Sequence, residues 1–100
     1  MEERELDVLL ELGQSYLLNR QYSEAINKFK EALKINPRDP ELYYHLGLAY
    51  EGAGEFEEAK KMYLNVLELD KNNDAAERRL RQITSRKTKA PKQPSQPPGG

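Results

Sequence analysis

The sequence contains no cysteine. Disulfide frameworks, thiolate metal sites and thiol redox chemistry are therefore excluded, which fits a protein of a reducing compartment. It also contains no apolar run that approaches the roughly 18 residues of a membrane-spanning helix. Its first residues, MEERELDVLLELG, are acidic where a secretory signal would be basic, and their apolar residues recur at helical intervals. We therefore expect a soluble, cytoplasmic protein.

Histidine occurs once, as His45, with Glu41 one helical turn before it. This pair would supply at most half of a metal site, and no second histidine or HExxH motif accompanies it. Neighbouring carboxylates such as Glu57 and Glu58 lie one turn from Lys61 and are typical of a solvated helix face. No Ser, His and Asp form a recognisable nucleophile motif. The sequence predicts no enzyme, no cofactor and no metal site.

The net charge of −1 conceals a strong asymmetry along the chain. Residues 1–73 contain 9 basic and 15 acidic residues, a net of −6, whereas residues 74–100 contain 7 basic and 2 acidic residues, a net of +5. Because nucleic-acid affinity depends on cations that face phosphates, we expect no nucleic-acid binding by the acidic part.

Residues 6–39 and 40–73 align without gaps at an offset of 34, and six of the 34 positions are identical. Most of the identical residues are of packing type, and aromatic or aliphatic bulk is kept at several other positions, such as Phe29 and Tyr63. A period of 34 with two helices per copy is typical of a repeat protein. The identical pairs are Leu12/Leu46, Gly13/Gly47, Tyr16/Tyr50, Glu24/Glu58, Ala25/Ala59 and Leu33/Leu67.

Apolar residues at three- and four-residue spacing predict amphipathic helices in both copies and one more beyond them. Asp39 and Pro40 form a start signal, since an aspartate caps free amides and a proline at the first helical position needs no donor. Gly13 with Ala25, and Gly47 with Ala59, are expected where paired helices approach most closely. The predicted helices cover about 3–18, 22–36, 40–51, 55–69 and 74–85.

These residues resemble the tetratricopeptide repeat family. Its pattern falls on Leu9, Leu12, Gly13, Tyr16, Ala25, Phe29, Ala32 and Pro37, and on the matching residues of the second copy except at Lys71. The resemblance implies an all-α fold in which antiparallel helix pairs stack as a short right-handed superhelical solenoid of five helices. The expected domain is 1–85, with repeats at 6–39 and 40–73 and a capping helix at 74–85. Residues 86–100 are expected to be a disordered, basic, proline-rich tail that serves as a linker or as a polyproline ligand.

The resemblance also implies a concave groove that holds a peptide. Mapped onto this sequence, the partner-binding groove is lined by Asp7, Leu10, Gln14, Leu17, Leu18, Glu41, Tyr44, His45, Leu48 and Glu51, and it is bordered by Arg78, Arg79 and Gln82 from the capping helix. Leu10, Tyr44 and Leu48 are apolar where solvation favours polar residues, and we expect them to form one apolar strip, which is typical of a contact surface. Alternatively, these three residues pack on the adjoining helix.

In this family, chaperone tails are held by a clamp of Lys and Asn residues with an Arg. Only Arg79 of the matching residues fits that clamp; the others are Leu10, Gln14, His45 and Ala75. We therefore expect an apolar or mixed peptide or helix as the ligand.

The favoured function is a protein–protein interaction module with a scaffold or assembly role. The alternative is a structural unit that forms a homodimer, because two repeats are fewer than the three or more that are usual. A third hypothesis is that the basic tail binds nucleic acid or anionic lipid.

Overall fold

A computed structural model describes residues 2–92, with the side-chain surroundings of residues 4–85. Five α-helices follow one another within these residues, and none of the described residues lies in a strand. No helix in this part of the chain has the length and apolar character needed to cross a membrane. The helices are α1 (Glu2–Leu18), α2 (Tyr22–Ile35), α3 (Pro40–Gly52), α4 (Phe56–Leu69) and α5 (Asp74–Lys92).

Each helix packs chiefly on the next one in the chain, so that α1 pairs with α2, α2 contacts α3, α3 pairs with α4, and α4 contacts α5. This arrangement confirms the all-α fold with five helices. The odd-numbered helices lie side by side, because side chains of α1 meet α3 and side chains of α3 meet α5.

Local signals set the start of α3. The Asp39 side chain accepts a hydrogen bond of 3.0 Å from the amide of Glu41, and Pro40 occupies the first helical position. The predicted cap is therefore confirmed. The Tyr43 hydroxyl also donates to the carbonyl of Pro37 at 3.0 Å and closes the turn between the repeats.

The glycines at the helix pairs face aromatic rings. A Cβ added at Gly13 would lie 2.5 Å from Cε1 of Phe29, and one added at Gly47 would lie 2.7 Å from Cζ of Tyr63. Both rings are fully buried. The close approach expected from the sequence is present, and its partner in each pair is a ring that fills the space left by the missing side chain.

The last helix is longer than the sequence analysis indicates. The cap was expected to end near Ser85 and a disordered tail to start at residue 86, but α5 continues to Lys92. Residues 86–90 contain no glycine or proline, so nothing in their sequence stops the helix before Pro91. Residues 93–100, the remainder of the expected tail, lie outside the described residues.

One of the six identical pairs is exposed in one copy and buried in the other. Leu46 on α3 is 1% exposed, whereas Leu12 on α1 is 40% exposed. The interpretation of Leu12 as a packing position is therefore wrong for the first repeat. No helix precedes α1 among the described residues, whereas α2 packs against α3.

Candidate functional site

Side chains connect the three odd-numbered helices on one face of the molecule. The Gln14 amide nitrogen on α1 lies 3.4 Å from Nε2 of His45 on α3. Farther along α3, Glu51 forms an ion pair with Arg79 of α5, with 3.4 Å between Oε2 and Nη1. Four residues mapped to the groove or its border thus meet across helices.

A cavity of about 360 Å³ opens between α1, α3 and α5. We call it the central cavity. Four residues of the predicted groove and its border line it: Leu17 from α1, Leu48 and Glu51 from α3, and Arg79 from α5. The complete lining is Leu17, Tyr22, Leu48, Glu51, Gly52 and Arg79.

Tyr22 and Gly52 are site residues that the sequence analysis missed. Tyr22 stands at the start of the predicted helix 22–36, and Gly52 falls between the predicted helices 40–51 and 55–69; neither was mapped to the groove. In the structure a Cβ at Gly52 would collide with the Tyr22 ring, so the absence of a side chain at Gly52 leaves room for that ring beside the cavity. A glycine at the last turn of α3, opposite the first residue of α2, was the available signal.

Glu51 is the most buried acidic group of the cavity, with 8% of its side chain exposed. Its Oε1 accepts a hydrogen bond of 2.8 Å from the Tyr63 hydroxyl, and its Oε2 faces Arg79. Burial, followed by the hydrogen bond to Glu51, raises the pKa of Tyr63 far above its usual value near 10. Tyr63 therefore remains a neutral donor, and Glu51 has a partner for each oxygen.

Arg79 supplies the accessible charge of the cavity. Partial burial by itself lowers the pKa of Arg79, but a hydrogen bond with Tyr44 and the charge of Glu51 outweigh that effect and raise it. The guanidinium is thus a permanent cation, and 39% of the side chain is exposed. It can face solvent or a ligand while it remains beside Glu51.

His45 lies in an aromatic cluster next to the cavity. Its ring stacks on Phe29 with centroids 5.3 Å apart, and Tyr44 meets it edge-on at 6.2 Å. Nδ1 lies 2.8 Å from the backbone carbonyl of Glu41. A carbonyl only accepts hydrogen bonds, so Nδ1 carries the hydrogen and Nε2 of the neutral ring can accept from Gln14.

The other predicted groove residues lie in four places: in this aromatic cluster, against the core, at the cavity and on the exposed surface. Tyr44 also packs against the Tyr63 ring at 5.7 Å, and Leu10 packs partly buried against the core. Leu48 is the member of the expected apolar strip that faces the cavity. Glu41 and Arg78 are exposed and do not line it.

Comparison with family models decides the family. A "TPR repeat" model matches residues 13–54, and a "Tetratricopeptide repeat" model matches residues 40–73. The chain belongs to the tetratricopeptide repeat family. The resemblance drawn from the two aligned copies is thereby confirmed, and α5 follows directly after the second matched repeat.

Several tetratricopeptide repeat proteins are similar to this chain. Heat shock protein STI1 of Saccharomyces cerevisiae is 40% identical over 68 residues, which cover 68% of this chain and 12% of that protein. Sperm-associated antigen 1 of Mus musculus is 35% identical over 79% of this chain and 9% of its own length. The chain therefore spans about a tenth of these relatives.

Solved tetratricopeptide repeat structures are similar as well. One is the first TPR of Spaghetti (RPAP3) bound to the HSP90 peptide SRMEEVD, with 26% identity and a TM-score of 0.46. The alignment covers 85% of this chain and 94% of that chain.

Proposed function

We propose that this domain is a non-catalytic interaction module that binds a peptide segment or helix of a partner protein along its odd-numbered helices, in a scaffold or assembly role. The central cavity carries the proposal. It combines the partly buried apolar side chains of Leu17, Tyr22 and Leu48 with one accessible cation, Arg79. Apolar walls with a few placed polar groups are typical of binding sites.

The lining indicates the chemistry of the ligand. An apolar side chain of the partner would contact Leu17 and Leu48, and an acceptor or carboxylate beside it would face Arg79. Glu51 does not counter this preference, because its carboxylate is almost fully buried and engaged by Tyr63 and Arg79. We therefore propose a mixed, largely apolar segment as ligand.

A chaperone tail fits this lining less well. Such tails need several cations around a terminal carboxylate. At the corresponding positions this chain has Leu10, Gln14, His45 and Ala75, and His45 directs Nε2 toward Gln14. Arg79 is the one permanent cation of the set.

Selection of binders from a displayed library of natural protein segments, with the full 100-residue chain as bait, would test the proposal. The double variant Leu17→Ala/Leu48→Ala should bind the selected peptides at least about 30-fold more weakly, a loss of about 2 kcal/mol of binding free energy, as the loss of central anchors does. Leu64→Ala is the matched control, because Leu64 is a half-exposed leucine on α4, away from the cavity. Peptides that bind the double variant and the wild type equally would contradict the proposal.

Self-association is the second candidate function. The specific observation that favours it is the exposure of Val8 and Leu12 on α1, two residues that do not line the central cavity.

A further inference from the structure

The outer face of α1 is apolar where its counterpart on α3 is covered. Val8 and Leu12 are 49% and 40% exposed, whereas Leu42 and Leu46, 34 residues later, are 0% and 1% exposed. α3 packs against both α2 and α4, and Leu42 and Leu46 belong to the buried core. We call Val8 and Leu12 the N-terminal face. Its side chains are apolar and could pack against a helix, but no helix among the described residues covers them.

The other end of the molecule carries a second apolar surface, between α4 and α5. Leu67 and Leu80 form its apolar floor, and we call it the C-terminal groove. The residues that border it are Glu77, Arg81, Thr84 and Ser85. In the repeat register, Leu67 corresponds to Leu33, and Leu80 corresponds to Leu46 and Leu12.

Arg81 determines what the C-terminal groove can accept. It stands at the position of Gly13 and Gly47, which admit the rings of Phe29 and Tyr63. Arg81 is 73% exposed and lies 3.5 Å from the carboxylate of Glu77. A buried ring cannot enter here as it does at a glycine, but branched aliphatic side chains such as valine and leucine can lie beside the arginine stem.

The two ends carry opposite charge. Residues 1–12 contain five acidic residues and one basic residue, a net of −4, and Glu5 and Glu11 are exposed beside the N-terminal face. Residues 74–92 contain seven basic and two acidic residues, a net of +5. Contact between unlike ends is therefore attractive, whereas two N-terminal faces would repel each other.

We propose that copies of this chain associate head to tail, with the N-terminal face of one copy in the C-terminal groove of the next. Val8 and Leu12 cover Leu67 and Leu80, and the acidic flank of α1 faces Arg81. Because the two surfaces differ, the contact is heterologous and each added copy presents a new free face. The small apolar area makes the association weak and dependent on concentration.

Sedimentation equilibrium of the full chain, from about 10 μM to about 1 mM, would test this association in the range of weak contacts. The average mass should rise continuously with concentration and should fall when salt is raised from about 50 mM to about 500 mM. A wild type that remains monomeric throughout, or that stops at a dimer, would overturn the proposal. A persistent monomer would indicate that the N-terminal face binds a helix of another protein, and a dimer would indicate a closed, symmetric contact.

Variants at the two ends give a complementation test. Leu12→Glu blocks the N-terminal face and Arg81→Glu blocks the C-terminal groove, so each variant alone should be monomeric. Mixed together, they retain one intact face and one intact groove and should form a heterodimer that grows no further. A mixture that stays monomeric would overturn the head-to-tail geometry.

Leu64→Glu is the matched control, since Leu64 is 50% exposed on α4. This variant should associate like the wild type. Loss of association in this control would overturn the assignment of the two surfaces. Circular dichroism establishes that each variant is folded, and Val8→Glu replaces Leu12→Glu if the latter unfolds. Peptide binding in the central cavity is a separate measurement, so the two proposals succeed or fail independently.

Discussion

Arg20 and Gly54, 34 residues apart, occupy the same place in successive turns, and both have a positive φ, of 62° and 81°. The hydrogen bonds around them also match, because Gln21 donates to the carbonyl of Tyr16 and Glu55 to that of Tyr50, each at 2.8 Å. The first repeat thus holds a left-handed arginine where the second has a glycine.

We expect Arg20→Gly to stabilise the domain by about 0.5–1 kcal/mol. Glycine relieves the strain of the left-handed backbone conformation, and this gain exceeds the entropic cost of a more flexible unfolded chain. Urea denaturation measures the change. Arg20→Ala is the control, since it removes the side chain but keeps the Cβ. If the two variants are equally stable, the backbone of residue 20 is unstrained.

Gly47→Ala should destabilise the domain by roughly 1–3 kcal/mol although alanine favours helices, because the new Cβ meets the buried Tyr63 ring. The ring has little freedom to move, since its hydroxyl is bound to Glu51. A double-mutant cycle with Tyr63→Leu should show that most of the loss is coupled to the ring. Additive effects would show that the glycine and the ring do not compete for space.

Tyr63 predicts a particular alkaline sensitivity. Its folded-state pKa is raised above the unfolded value near 10, so its contribution to stability is complete below pH 10 and is lost as the pH rises above that value. The free energy of unfolding should then decline by up to about 1.4 kcal/mol per pH unit from this one group. Tyr63→Phe should lack this component when both proteins are unfolded with urea between pH 8 and pH 11, a range placed around the ordinary tyrosine pKa of about 10. Parallel profiles for the two proteins would argue against a buried phenol.

Tyr44 and Leu48 should differ in their effect on stability although both belong to the expected apolar strip. Tyr44→Ala removes contacts with the rings of His45 and Tyr63 and should cost roughly 1–3 kcal/mol. Leu48→Ala, at the open cavity, should cost less than about 1 kcal/mol. Thermal unfolding of the two single variants measures the difference, and equal losses would place Leu48 in the core.

Local features were the most predictable from sequence. Asp39 and Pro40 specify the start of α3 from neighbouring residues alone, and the spacing of Gly13 and Gly47 marks the helix pairs. Such signals either act within one helical turn or recur every 34 residues, so they can be recognised in a single sequence.

Features that depend on a distant partner were less predictable. Leu12 and Leu46 have the same place in the repeat but differ in burial, because α2 packs against α3 whereas no helix precedes α1 in the described part of the chain. The contact between Tyr22 and Gly52 depends on how α2 lies along α3. The burial of Glu51 likewise depends on Tyr63 and Arg79 from two other helices.

The bond between Tyr63 and Glu51 also limits the order in which such a polar pair can be introduced into the first repeat. The corresponding residues of the first repeat are Phe29 and Leu17, so an apolar pair stands where the second repeat has a polar one. Introducing a carboxylate before the phenol would bury a charge with one donor fewer, whereas introducing the phenol first would leave a single neutral hydroxyl. We therefore expect the first repeat to tolerate Phe29→Tyr alone better than Leu17→Glu alone when the polar pair is introduced there, which denaturation of the two single variants would measure.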